Sequence, residues 1–271
     1  MEDLYMKKIS LLTIITILAG ILLTACGSKG SKANEIKIGV SPVPHSEIIE
    51  YIKEDLEKEG LQVTLIEFTD YIKPNHALND KELDANFFQH GPYFEDFIAK
   101  ENLKLVSLGN VHIEPMALYS NNHKTVEDLP NGAHIAIPAD SVNGGRALLL
   151  LESNGLIKLK EGVGLEATEK DIIENPKNIV ITALENAQLP RILGDVDGAV
   201  INGNYALEAG LNPVSDGLIT EGKDSPYANL VAVRAGEEGQ DKFVKLLKAL
   251  QSDKVRQFIE EKYEGAVVPA F

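Results

Sequence analysis

The sequence predicts an α/β fold in two lobes, and three observations carry that expectation. Strand-like and helix-like segments alternate from residue 35 onward. The alternation occurs as two separate systems. The 271 residues also suffice for two lobes of about 100–150 residues each. In the first system, residues 36–40 (IKIGV) read as a strand that leads into Ser41-Pro42-Val43-Pro44. Residues 46–58 place Ile48, Ile49, Ile52 and Leu56 on one helical stripe, and Gly60 supplies a left-handed cap at its end. Residues 62–68 (QVTLIEF) return to strand character. Strand, helix and strand within about 30 residues make a βαβ unit with a parallel pair. The second system reads as a strand at 134–137, a helix at 146–153 ending in Asn154-Gly155, a strand at 178–182, a helix containing 183–189, and a strand at 199–202. Towards the C-terminus, Phe243, Val244, Leu246, Leu247 and Leu250 form one helical stripe. Val255, Phe258 and Ile259 form another, with Ser252 between them as an N-cap. Two extended apolar runs, 114–120 (EPMALYS) and 225–234 (SPYANLVAVR), are the expected crossings between the lobes.

Composition narrows the function classes. Hydrophobic residues at 44% and charged residues at 25% are ordinary for a globular chain, which excludes disordered, collagen-like and coiled-coil classes. A net charge of −15 repels phosphate backbones and anionic lipid, so nucleic-acid binding and a polybasic membrane hold are excluded. A single cysteine allows neither an internal disulfide nor a cysteine-based zinc cluster.

That cysteine sits at the end of an address. Lys7-Lys8 precede an apolar or small-residue run at 9–25 (ISLLTIITILAGILLTA), which has the layout of a secretory signal. The following Leu23-Thr24-Ala25-Cys26-Gly27 resembles a bacterial lipobox. That resemblance implies cleavage of residues 1–25, acylation of Cys26 (palmitate included) and a lipid anchor on the extracytoplasmic side of the cell membrane. Glu2 and Asp3 ahead of the basic pair are odd for such a signal, which leaves Met6 open beside Met1 as the start of translation. Loss of residues 1–25 removes two acids and two lysines, so the charge stays −15. Residues 26–34 then form a lipidated, flexible tether, and the body begins near Glu35.

Motifs for catalysis are missing: the sequence holds no GxSxG elbow, HExxH helix, P-loop or glycine-rich dinucleotide fingerprint. His45, His76, His90, His112, His123 and His134 are scattered without metal-ligand spacing. No enzyme activity, cofactor or metal is expected. Three segments stand out instead. Phe68-Thr69-Asp70-Tyr71 is a polar-aromatic turn after a strand. Residues 84–93 (DANFFQHGPY) crowd aromatic rings beside amides, and Phe87 and Phe88 face opposite ways in an extended segment. Residues 137–146 (IPADSVNGGR) end a strand, free the backbone at two glycines and open a helix at Arg146. A helix N-terminus beside a guanidinium is a site for a carboxylate.

These segments resemble the methionine-binding lipoproteins of the MetQ/NlpA family, the solute-binding proteins of ABC importers. The resemblance runs through Pro44-His45, FTDY (68–71), Pro74-Asn75, DANFFQHGPY (84–93), EPMALYS (114–120) and RALLLLESNGLIKL (146–159). It continues in ENP (174–176), AVINGNYALEAGL (199–211), SPYANLVAVR (225–234) and GAVVPAF (265–271). It implies a two-lobed periplasmic-binding-protein fold with a ligand cleft between lobe 1 (35–117 with 229–271) and lobe 2 (118–228). It also implies a receptor that captures L-methionine and hands it to the permease and ATPase of an importer. Arg146 and Asn143 would take the ligand carboxylate, and Asn202 and Asn204 its polar end. Tyr71, Phe88, His90 and Tyr93 would form the wall around its side chain. Where the family usually has Asn-Asp after the strand proline, this chain has Ala139-Asp140, and Gly144-Gly145 precede Arg146. This departure keeps D-methionine or a methionine-containing dipeptide open as alternatives. An exported hydrolase and an adhesin are the readings from other classes.

Overall fold

Apolar residues at alternate positions, as at Ile36, Ile38 and Val40, set up two sheets, each with its own hydrophobic core. The computed structural model describes residues 34–222 and 225–271; the expected signal, Cys26 and most of the tether lie outside the described residues. Along the chain the strands are β1 (Glu35–Val40), β2 (Gln62–Glu67), β3 (Ala85–His90), β4 (Leu105–Ile113), β5 (Ala117–Tyr119), β6 (His134–Pro138), β7 (Lys158–Leu159), β8 (Ile172–Glu174), β9 (Val180–Leu184), β10 (Gly198–Ile201), β11 (Gly217–Thr220), β12 (Ala228–Arg234) and β13 (Val268–Pro269). The helices are α1 (Glu47–Lys58), α2 (Lys73–Asn79), α3 (Gly91–Glu101), α4 (Ser141–Ser153), α5 (Gly203–Glu208), α6 (Asp241–Leu250) and α7 (Asp253–Tyr263).

The first sheet has the order β13-β4-β12-β3-β1-β2. Its β1 runs parallel to β2 and β3, while β12 lies antiparallel between β3 and β4. The predicted stripe of α1 is buried against this sheet, and Phe243, Leu246, Leu250, Val255 and Ile259 from α6 and α7 join the same core. Gly60 takes φ +81 just beyond α1, the left-handed turn it was expected to make. Ser252 caps α7 by accepting from the Val255 N–H at 3.3 Å.

The second sheet has the order β11-β5-β10-β6-β9. Here β6 lies parallel between β9 and β10, and β5 is antiparallel to β10 and β11. The protein is therefore a two-lobed α/β molecule. The chain passes from β4 to β5 through residues 114–116 and returns from β11 to β12 through 221–227. Of the apolar runs expected at these crossings, 117–119 lie in β5 and 228–234 in β12, because a continuously buried run satisfies its backbone by pairing in a sheet. Among the described residues, no helix is long and apolar enough to cross a membrane.

Two local expectations need correction. The segment 183–189 is not one helix: β9 extends to Leu184, and a short 3₁₀ helix begins only at Asn186. The helix expected from Arg146 begins at Ser141, so Gly144 and Gly145 lie within α4 rather than in a loop. Asp140 starts it, its carboxylate accepting from the Asn143 N–H at 2.8 Å. The glycines serve close approach, not turning. A Cβ at 144 would lie 2.9 Å from the Pro138 carbonyl oxygen, and one at 145 would lie 2.2 Å from that of Leu165.

Candidate functional site: a closed cleft between the sheets

In parallel sheets the carboxyl ends of the strands leave side chains free at the crevice. Here the ends of β3, β6 and β10 converge. β3 delivers Phe88, Gln89 and His90. The turn after β6 leads into α4 with Asn143 and Arg146. The end of β10 leads into α5 with Asn202, Gly203 and Asn204. Together with Tyr71, Tyr93, Glu114 and Asn229 these residues line one cavity, with about 320 Å³ of space not filled by atoms. All eight residues expected at the site, from Tyr71 to Asn204, line this cavity.

The first-sheet side is aromatic, and its polar tips are committed. The Tyr93 hydroxyl donates to the Tyr71 carbonyl oxygen at 3.1 Å, and the Tyr71 hydroxyl donates to Asn204 Oδ1. The Tyr71 ring lies 5.7 Å from that of Tyr93, 6.0 Å from Phe88 and 5.0 Å from Tyr205. Burial raises the titration of the Tyr71 and Tyr93 hydroxyls well above the usual phenol range. Phe87 points the other way, into the core beside His45 at 4.6 Å. His90 caps α3: its Nδ1 accepts from the Tyr93 N–H at 3.2 Å, which leaves Nε2 to donate to Asn143 Oδ1 at 3.0 Å. Burial and the nearby Arg146 push its titration down to about 3, so the ring is neutral at pH 7.

The second-sheet side is polar. Asn143 Oδ1 also accepts from Asn202 Nδ2 at 2.8 Å, while Asn143 Nδ2 reaches Asp140 at 3.0 Å. Asn186 ties the same Asp140 at 2.9 Å. Asn143 and Asn202 therefore hold the wall together. The helix terminus expected to receive an anion is occupied by the protein's own Asp140. Arg146 lies in the second turn of α4 and is only 3% exposed. Its Nε and Nη2 donate to Glu221 at 2.7 and 2.5 Å, and Nη2 also reaches the Glu114 carbonyl oxygen at 3.0 Å. The guanidinium stacks 4.0 Å above the Tyr227 ring. Since Glu221 also accepts from the Met116 N–H at 3.0 Å, Arg146 and Glu221 join both crossing segments.

Two donors on this side have no partner among the described residues: Arg146 Nη1 and the buried Asn204 Nδ2. A buried amide without an acceptor is costly and marks a place for a ligand atom. Beside them lies Glu114, 5% exposed, which sequence reasoning had assigned only to a crossing. Burial raises its titration, opposed by the charge of Arg146 and a hydrogen bond from the Asn204 N–H. Gln89, Gly203 and Asn229 were likewise missed. Gln89 and Asn229 occupy positions in β3 and β12 whose side chains read locally as strand polar residues. The bulge between Leu230 and Val231 in the β12–β3 pairing accompanies the turn of Asn229 towards the cavity. Contacts across the cleft hold it closed: His90 to Asn143, Tyr71 to Asn204, and Tyr205 to the Thr69 carbonyl oxygen at 3.0 Å.

Comparison with known proteins agrees with this architecture. The profile of the NlpA lipoprotein family matches residues 36–271. The chain is 44% identical to membrane lipoprotein TpN32 of Treponema pallidum, over 88% of this chain and 90% of that one. It is 43% identical to the D-methionine-binding lipoprotein MetQ of Salmonella typhimurium, over 93% and 94%. A nutrient-binding protein of Burkholderia cenocepacia, solved bound to methionine, superposes with a TM-score of 0.84 at 48% identity, covering 87% of this chain and all of that one. The chain thus belongs to the NlpA lipoprotein family and has the two-lobed periplasmic-binding-protein fold of its methionine-binding members.

Proposed function

We propose that the cleft binds free methionine and that the protein is the lipid-anchored receptor of an ABC importer, presenting the amino acid to a permease and its ATPase on the extracytoplasmic side. One observation carries this reading. A buried carboxylate, Glu114, the unpartnered amide nitrogen of Asn204 and the guanidinium-bearing Arg146 line one cavity with an aromatic wall. A zwitterion needs both of its ends matched, because an unpaired buried charge is expensive. Glu114 suits the ammonium, and the donors suit the carboxylate. Tyr71, Phe88 and Tyr93 offer rings to an apolar side chain, and a thioether gains about 0.3–1.5 kcal/mol from each such contact. Anchoring through Cys26 and lobe boundaries at 35–117 with 229–271 and 118–228 belong to the same proposal. The similarity to D-methionine-binding lipoproteins favours D-methionine as the second reading. The closed cleft speaks for a single amino acid over a dipeptide.

The test is a calorimetric titration of the ligand-free protein with L-methionine, D-methionine and a methionine dipeptide. One-to-one binding of either enantiomer, tighter than the dipeptide by about tenfold or more, is expected. Binding of the dipeptide alone overturns the ligand assignment.

A further inference from the structure

Behind Glu114 lie two fully buried histidines that do not themselves line the cavity. His112 Nε2 is 2.7 Å from Glu114 Oε1, and His45 Nε2 is 3.3 Å from the same oxygen. His45 is fixed from its other side: Ser41 Oγ lies 3.1 Å from Nδ1, and Asn229 Oδ1 shares Nε2 at 3.2 Å. Phe87 packs edge-on against both rings, at 4.6 and 5.3 Å. Gly203 presses on the carboxylate from the opposite lobe; a Cβ there would stand 2.6 Å from Glu114 Cβ.

The three side chains bring their donor atoms within 4.8 Å of one another, a span that a metal ion could bridge. The His112–Glu114 distance favours a hydrogen bond instead. Ligand atoms around a tetrahedral zinc stand about 3.3 Å apart when each bond is about 2.0–2.1 Å, and 2.7 Å is the length of a charge-assisted hydrogen bond. With Glu114 ionised, and so an acceptor only, His112 donates to it from Nε2, while His45 Nε2 donates to Asn229 Oδ1 beside the same carboxylate oxygen. That tautomer leaves His45 Nδ1 to accept from the Ser41 hydroxyl.

We infer that His112, backed by His45, is a positioning residue for ammonium recognition: its neutral Nε2–H donor fixes Glu114 in its ionised form and leaves the remaining lone pairs to the α-ammonium of the ligand. Burial alone disfavours an ionised carboxylate, and hydrogen bonds to the charged form oppose that cost. The inference rests on the reading of the cavity as an amino-acid site.

The experiment compares affinity for methionine with affinity for 4-(methylthio)butanoate, which lacks only the amino group. The ratio of the two dissociation constants isolates ammonium recognition. In Glu114→Gln the ratio should fall by about tenfold or more. An unchanged ratio there removes Glu114 from the ammonium site, and with it the amino-acid reading. Given that fall, His112→Leu should also lower the ratio about tenfold, while His112→Gln, whose amide N–H can take the place of Nε2–H, should restore most of it. A ratio unchanged in His112→Leu, with both ligands weakened equally, assigns the histidine a merely structural role and overturns the inference. Nitrogen-15 NMR of the wild-type imidazoles tests the same point without a variant. Nε2-protonated neutral rings at His45 and His112 are expected, and an Nδ1-protonated His112 contradicts the inference.

Discussion

The two walls of the cleft meet across one cavity but are built by different devices. The first-sheet wall comes from a continuous stretch, β3 and the start of α3, with Tyr71 joined from the preceding turn. Its rings pack on one another; the Tyr93 hydroxyl is satisfied within the wall by the Tyr71 carbonyl, and the Tyr71 hydroxyl crosses to Asn204. The second-sheet wall is assembled from separate strand ends. It depends on a network in which Asp140, Asn143, Asn186 and Asn202 satisfy one another, while Arg146 is neutralised by Glu221 from the far crossing. A packed aromatic wall should lose contacts one at a time when altered. A networked polar wall should fail as a unit, because removing one partner strands another.

Substitutions can break that contrast. The largest effect is expected from Glu221→Ala, which leaves the Arg146 guanidinium buried without its counter-charge. A stability loss of about 3–5 kcal/mol should appear in urea unfolding. An effect near zero would mean that solvent reaches the pair. Arg146→Ala should weaken methionine binding by about 2–5 kcal/mol in a calorimetric titration; near-unchanged affinity would take Nη1 out of the site. Gly145→Ala forces a methyl group against the Leu165 carbonyl and should cost about 1–3 kcal/mol of stability. A neutral result would show that the segment around Leu165 shifts freely. On the aromatic wall, Tyr71→Phe removes only the hydroxyl that reaches Asn204 and should cost about 0.5–1.5 kcal/mol in affinity.

Acid should separate the two regions in another way. His45, His90 and His112 titrate at about 4, 3 and 3 in the folded protein, because burial disfavours their charged forms. Unfolded, each takes a proton near pH 6.5. The unfolded state therefore binds more protons between pH 6.5 and 4, and stability falls as pH drops through that window. Each histidine contributes up to about 1.4 kcal/mol per pH unit. His90→Gln should reduce the slope of unfolding free energy against pH by about one proton, and an unchanged slope would mean that His90 is protonated in the fold.

The same contrast explains what could be read from the sequence. Local pattern announced α1, Gly60 and the α7 cap, because each is decided by residues within one or two turns. The aromatic wall was legible for the same reason: DANFFQHGPY carries its rings in ten consecutive residues. The polar wall was legible as a list of residues but not as a mechanism. Arg146 looked like the first residue of a helix because two glycines precede it. Their actual role is to admit the Pro138 and Leu165 carbonyls, which lie elsewhere in the fold. Nothing near Arg146 in sequence points to Glu221, 75 residues away. Glu114 was hidden in an apolar run whose neighbours belong to strands; His112 lies only two residues before it, but His45 comes from the segment between β1 and α1. The Arg146–Glu221 and Glu114–His45 contacts are long-range, and periodicity carries no signal for them.

The central claim is that this closed cleft holds free methionine, and the most direct measurement is mass spectrometry of the small molecule released when natively purified protein is denatured. Methionine at about one molecule per chain is the predicted result, and it should be missing from Arg146→Ala purified in the same way. A dipeptide or an unrelated metabolite at that stoichiometry would contradict the account while leaving the fold intact.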